Sequence, residues 1–98
     1  MAYTIEFSED AVRHLGHLRA YYQRIVVDAI ESQLSFEPGV PTRHRKRLFE
    51  TSIAEWELRV GDFRVLYNVD EAVHLVIIVA IGEKVRNVLL VEGKEFPL

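Results

Sequence analysis

Cysteine is absent from the 98 residues, which excludes disulfides, thiolate metal sites and cysteine nucleophiles. Long apolar runs are missing as well. The longest, Leu75 to Ile81, is far shorter than the roughly 20 residues a membrane helix needs. The opening Met-Ala-Tyr-Thr-Ile-Glu-Phe has no basic region followed by an apolar stretch, so it does not read as a signal peptide. A soluble, cytoplasmic chain without membrane association is the expectation. Gly-rich phosphate loops, Gly-x-Ser-x-Gly elbows and carboxylate pairs at a catalytic spacing are also lacking, so no cofactor is expected.

A surplus of positive charge is lacking too, since the net charge is −3. Its distribution is uneven. Residues 1–42 carry three basic groups (Arg13, Arg19, Arg24) against six acidic ones, whereas residues 43–47, Arg-His-Arg-Lys-Arg, hold four basic groups in five positions. Screening limits charge interactions to about 10 Å, so an acidic protein with one dense basic cluster can still present a local anion site.

What is present suits one domain spanning residues 1–98. Apolar residues are 49 % and charged residues 28 %, an ordinary globular balance, and the length allows a single core without covalent staples. No internal repeat or low-complexity linker divides the chain.

The clearest structural signal is Trp56-Glu57-Leu58-Arg59-Val60-Gly61-Asp62-Phe63-Arg64-Val65-Leu66-Tyr67. Apolar and polar residues alternate on both sides of Gly61-Asp62, which predicts a hairpin with a primed two-residue turn. That register pairs Val60 with Phe63, Arg59 with Arg64, Leu58 with Val65 and Trp56 with Tyr67. One face then collects Trp56, Leu58, Val60, Phe63, Val65 and Tyr67. The other collects Glu57, Arg59, Arg64 and Leu66, with two guanidinium groups opposed and a carboxylate nearby.

Before the hairpin, Tyr3 to Phe7 alternates as a strand with Tyr3, Ile5 and Phe7 inward. Ser8 stands at an N-cap position ahead of Glu9 and Asp10, with Phe7 and Val12 placed as a staple. Ala11, Val12, Leu15 and Leu18 supply the helical stripe, leaving Arg13, His14 and His17 mostly off it. After a break near 19–22, a second helix runs from about Tyr22 to Phe36 on Ile25, Val26, Ala29, Ile30, Gln33 and Leu34. Pro38-Gly39 and Pro41 end it. The basic run follows as a solvated charged segment, and residues 50–54 lead into the hairpin. Asp70-Glu71 is the next turn. Val73 to Ile81 reads as a central strand that Gly82 ends, and Val88 to Val91 as a short one. The fold class is α+β, in the order β-α-α-β-β-β. Two N-terminal helices pack on a small, mostly antiparallel meander sheet, with a further strand at the end.

His14 and His17, three apart on a helix, have the spacing of metal ligands but no third ligand in register; they read as surface histidines. His44 lies in the basic run, where it could assist at a phosphate, and His74 at the start of a buried strand. The cations are the remaining candidates: Arg43, Arg45, Lys46 and Arg47 before the hairpin, Arg59 and Arg64 on it, and Lys84 and Arg86 after the long strand. A meander sheet can bring these three segments to one face and end. A multi-Arg surface without cofactor motifs suits a phosphate backbone. Tyr21, Tyr22 and Tyr67 could stack bases, although alternation places Tyr67 inward.

The run from Trp56 through Asp70, followed by an apolar strand ending in Ile81-Gly82, resembles the bacterial RelE/ParE toxin superfamily. The Tyr-x-Ile-x-Phe-Ser opening and the two early helices agree, so the resemblance covers nearly the whole chain. It implies a plasmid-stabilising toxin of a type II toxin–antitoxin pair, bound by a cognate antitoxin. RelE-like members cleave mRNA on the ribosome without a metal, the ribose 2′-oxygen attacking the adjacent phosphate; ParE-like members inhibit DNA gyrase. By this resemblance Arg64, Arg59 and Lys84 are the catalytic cations and Glu57 a base, with Arg43, Arg45, Lys46, Arg47 and Arg86 as RNA-binding groups. Lys84 stands where RelE-like nucleases carry arginine. Glu55 and Glu57 stand at two family lysine positions, and the family's C-terminal tyrosine has no match near Leu89-Leu90; these departures favour the alternatives, a ParE-like gyrase inhibitor or a degenerate toxin that only binds its antitoxin.

Overall fold

The computed structural model of the chain describes residues 2–49 and 51–97. Strand β1 (Thr4–Phe7) places Tyr3, Ile5 and Phe7 against the core, as alternation requires. Ser8 then accepts a hydrogen bond from Ala11 N–H at 3.0 Å and starts α1 (Glu9–His17), with Glu9 and Asp10 at the positive end of the helix. The buried stripe of α1 differs from the expected one: Val12 is 58 % exposed, whereas His14 is buried. Ala11, His14, Leu15 and Leu18 follow the i, i+3, i+4, i+7 rule, so the periodicity was sound and the polar histidine concealed it. His14 is thus no surface group.

Helix α1 ends at Leu18, and α2 (Ala20–Leu34) begins two residues on. Each end of α2 lies somewhat ahead of the expected 22–36 span. Val26, Ile30 and Leu34 form its buried stripe, while Ile25 is exposed.

The remaining strands are β2 (Arg45–Arg47), β3 (Trp56–Val60), β4 (Phe63–Asp70), β5 (Leu75–Val85), β6 (Val88–Val91) and β7 (Lys94–Glu95). They form an antiparallel sheet in the order β2-β3-β4-β5-β6-β7, and β1 joins it parallel to the first part of β5. This is the expected α+β arrangement with its meander extended at both ends. The basic run, read as a solvated segment, contributes an edge strand. Of the lead-in at residues 50–54, residue 50 lies outside the described residues.

The β3–β4 register matches expectation pair by pair, from Trp56 opposite Tyr67 to Val60 opposite Phe63. Gly61 takes φ +59°, the conformation a primed turn asks of its first loop residue. Between the sheet and the helices lies the main core, with Leu58, Val65, Tyr67, Val76 and Ile78 fully buried. Each buried aliphatic side chain there contributes roughly 1.5–3 kcal/mol. Tyr67 stacks on Trp56 at 6.2 Å between ring centroids and donates its hydroxyl to Pro38 O at 2.8 Å. Burial pushes that phenol well above its ordinary range. This settles Tyr67 as a core residue that holds the Pro-Gly turn.

Strand β5 carries the two features that position the functional face. Its edge is covered by β1 up to Ile78 and by β6 from Glu83. Helix α1 satisfies the gap between them. Ser8 donates its hydroxyl to Val79 O at 3.2 Å, and His14 Nδ1 accepts Ile81 N–H at 3.3 Å.

The second feature is a bulge. Leu66 pairs with Ala80 while Tyr67 pairs with Ile78, so Val79 is an extra residue. One additional residue exchanges the two faces of everything beyond it. Val76 and Ile78 face the helices, whereas Ala80, Gly82 and Lys84 face the other way, beside Leu66 and Arg64. Gly82, expected to end the strand, lies inside it. A Cβ there would strike the Leu90 carbonyl and the Val91 side chain, so its lack of a side chain permits β6 to approach.

Candidate functional site

The sheet face away from the helices has a floor of Leu66, Ala80, Leu89 and Val91, with Ala54 beneath and Phe96 packed at its side. Around this floor the register sets out two cross-strand rows. Lys46 lies opposite Glu57, Glu57 opposite Leu66, and Leu66 opposite Ala80. In the neighbouring row Arg59 lies opposite Arg64, and Arg64 opposite Gly82. Arg59 N–H donates to His44 O at 2.8 Å, which extends that row by one residue beyond β2.

Glu57 is the centre of this arrangement. It is buried, and its Oε1 lies 3.8 Å from Arg64 Nε and 3.9 Å from Arg59 Nε. Two arginines opposed across a ladder repel each other, and a carboxylate between them offsets that repulsion. The two guanidiniums differ in setting. Arg59 has half its side chain in solvent, but the Arg64 side chain is only 12 % exposed. Arg64 Nη1 donates to Gly61 O at 2.8 Å and to Phe63 O at 2.9 Å, which fixes the group at the hairpin turn. Its Nε is buried without a hydrogen-bond partner among the described residues. Such a charged donor is held in place by main-chain carbonyls while its positive charge faces the carboxylate.

Lys84 enters the face from β5 because of the bulge. Its N–H donates to Asp62 O at 2.7 Å, so the strand is tied to the Gly61-Asp62 turn that also holds Arg64. Arg59, Arg64, Lys84 and Glu57 therefore share one face and one end of the sheet. Among the described residues no group of three or more His, Cys, Asp or Glu is placed to hold a metal ion.

A model of the family described as "ParE toxin of type II toxin-antitoxin system, parDE" matches residues 5–88. The chain belongs to this family. It is a toxin of the RelE/ParE superfamily of type II toxin–antitoxin systems. A chain of the toxin–antitoxin complex RelBE2 from Mycobacterium tuberculosis is 29 % identical, with a TM-score of 0.74 over 85 % of this toxin and 99 % of that chain. In the archaeal RelE–RelB complex from Pyrococcus horikoshii the identity is 23 %, with a TM-score of 0.69 over 88 % of this toxin and 99 % of that chain. The isolated RelE toxin of E. coli shares the fold at 19 % identity and a TM-score of 0.65, over 87 % of each chain. No curated protein sequence matches the toxin.

The five cations expected to bind RNA are dispersed on the toxin. Arg45 is buried on the helix side, where Nη1 donates to Gln33 O at 2.7 Å and Phe36 O at 3.1 Å. It neutralises carbonyls at the C-terminal end of α2 and offers no free surface for RNA, contrary to the sequence reading. Arg47, opposite Trp56, also lies on that side. It donates to Glu55 O at 3.3 Å, pairs with the Glu55 carboxylate at 3.7 Å, and has Phe49 and Trp56 rings within 6 Å of its guanidinium. Arg43 is exposed in the preceding loop. Arg86 is exposed in the β5–β6 turn, where it and Asn87 take φ of +50° and +67°. Only Lys46 reaches the Glu57 face. Strand alternation separates these neighbours, and the pairing needed to apply it to residues 45–47 is invisible in a run with no apolar residues.

Tyr22 packs against Phe63 at 5.2 Å between centroids, and Tyr21 is exposed beside it on the helix side. His74 precedes β5 at φ +52° with its ring edge-on to Tyr3 at 4.9 Å. Neither tyrosine nor His74 belongs to the cationic face.

Proposed function

We propose that this toxin is a RelE-type endoribonuclease that cuts mRNA on the ribosome and is held inactive by a cognate antitoxin. The observation that carries the reading is the Glu57 carboxylate set between Arg59 and Arg64, on the face that Lys84 shares. RNA cleavage by its own 2′-hydroxyl needs a base for that hydroxyl and cations for the charge that grows on the phosphate. Glu57 fits the first requirement. Arg59, Arg64 and Lys84 fit the second, with Lys46 adding charge opposite the base. The fixed Arg64 would orient the phosphate, whereas the half-exposed Arg59 would meet it from solvent. The M. tuberculosis relative occurs in a toxin–antitoxin complex, which supports the antitoxin part of the reading.

Expression of the toxin without its antitoxin should arrest growth and leave transcripts cut within codons. Arg64→Ala should abolish both effects. Arrest with intact transcripts would instead favour inhibition of DNA gyrase, the reading that the ParE family match supports. A supercoiling assay with purified gyrase separates the two. The nuclease should leave supercoiling untouched, and a gyrase inhibitor should block it.

A further inference from the structure

The ribonuclease reading supplies a base and cations but no proton for the leaving oxygen. The 5′-oxygen released from phosphorus must acquire one, and a positioned side chain supplies it faster than water does. The family's C-terminal tyrosine has no counterpart here.

We infer that His44 is the general acid of this site. Arg59 N–H donates to His44 O at 2.8 Å, and Arg45 pairs with Leu58 one residue further along. His44 is therefore the register partner of Arg59. It lies in the bend just before β2, at the position that continues the Arg59–Arg64 row. His44 is exposed, with its N–H held by Thr42 Oγ1 at 3.2 Å, so its main chain is anchored while its side chain has no hydrogen-bond partner among the described residues. Glu57, paired with Lys46, is the diagonal neighbour of His44 across the ladder, a Cα spacing of roughly 7–8 Å. Arg59 stands opposite His44 and two residues from Glu57. Base, cation and imidazole thus occupy adjacent register positions at one end of the sheet, and in the proposed complex the phosphate sits among them with Glu57 toward the 2′-oxygen and His44 toward the leaving oxygen. In-line displacement requires that placement, because attacking and leaving oxygens lie on opposite sides of phosphorus.

The proposal rests on the ribonuclease reading. Glu57 takes the 2′-hydroxyl proton as the 2′-oxygen bonds to phosphorus. The P–O5′ bond breaks, and the 5′-oxygen takes a proton from the His44 imidazolium. The products are a 2′,3′-cyclic phosphate and a 5′-hydroxyl, with one proton accepted and one donated. The charged groups nearest His44 in chain and register are Arg43 and Lys46 on its own segment, Glu57 and Arg59 on β3, and Arg64 beyond them on β4. An imidazole is suited to this task because it can both hold a proton and hydrogen-bond to the leaving oxygen.

The test is single-turnover cleavage of ribosome-bound mRNA, after the wild-type toxin has marked the scissile position. Two substrates are used: the natural one, and one whose 5′-bridging oxygen at that position is sulfur, a leaving group that needs no proton. His44→Ala should slow cleavage of the oxygen substrate by about 10²–10⁴-fold. It should cut the sulfur substrate within about tenfold of the wild-type rate. The descending limb of the pH–rate profile should vanish with the histidine. Wild-type rates for His44→Ala on the oxygen substrate would overturn the assignment. Equal losses on both substrates would also overturn it and leave His44 a binding residue. A wild-type toxin that cuts neither substrate would overturn the ribonuclease reading itself.

Discussion

Arg45 and Lys46 are neighbours in one basic run, yet they serve opposite faces of the sheet. The Arg45 guanidinium bonds two carbonyls at the end of α2, whereas Lys46 lies opposite Glu57. Arg45→Met should therefore destabilise the toxin by about 1.5–3 kcal/mol, the cost of losing hydrogen bonds from a charged donor, as read by chemical denaturation. Ribosome affinity of the folded variant should be unchanged; a specific loss of affinity at full stability would contradict the structural role. His14 is the second residue whose role differs from its sequence appearance. Burial holds its pKa below the ordinary histidine value, with Arg13 acting in the same direction and Glu92 and Asp10 opposing them. The unfolded chain then binds the proton more readily than the native one, so this group's contribution is full above about pH 6.5 and declines as pH falls below it. Denaturation midpoints at pH 8 and pH 5.5 should differ in the native toxin, and His14→Gln should reduce that difference. An unchanged pH dependence in the variant would show that His14 does not titrate on unfolding.

At the scale of elements, the hairpin was legible because each of its strands is wetted on one face. Polar and apolar residues then mark the faces, and the Gly61-Asp62 turn fixes the register. Strand β5 is apolar on both sides, so its composition carries no period, and the bulge at Val79 left no mark in the sequence. The bulge nonetheless decides that Lys84 stands beside Arg64 instead of facing the helices. Strand β2 was hidden for a different reason, its three residues all being cationic. The hairpin residues of the candidate site, Glu57, Arg59 and Arg64, were thus legible, but placing Lys46 and the proposed His44 beside them needed the β2–β3 pairing. Gly82 gives a direct test of the β5–β6 junction. Gly82→Ala sets a methyl against the Leu90 carbonyl and should cost about 1–3 kcal/mol, as overpacking usually does. Hydrogen exchange should then quicken at the paired amides of residues 83–91 more than in the β3–β4 hairpin. Uniform quickening, or none, would mean that the junction is not where the strain falls.

For the molecule as a whole, the sheet divides two tasks. Its helix side holds the larger core, with Trp56, Leu58, Val65 and Tyr67 on the hairpin and Val76 and Ile78 on β5. Its other side holds a smaller apolar floor and the Glu57–Arg59–Arg64 cluster. The same two strands therefore build the fold with one set of side chains and the candidate chemistry with the alternate set. A net charge of −3 is compatible with this, because Lys46, Arg59, Arg64 and Lys84 share the face of Glu57. The central claim is that this face cleaves RNA through the 2′-hydroxyl. It is tested most directly by incubating purified toxin with programmed ribosomes and identifying the new RNA ends. Wild-type toxin should produce 2′,3′-cyclic phosphate and 5′-hydroxyl ends. Glu57→Gln should slow their formation by about 10²–10⁴-fold, and Arg64→Ala should leave none. Intact mRNA with the wild-type toxin, or products bearing 5′-phosphates, would contradict the account.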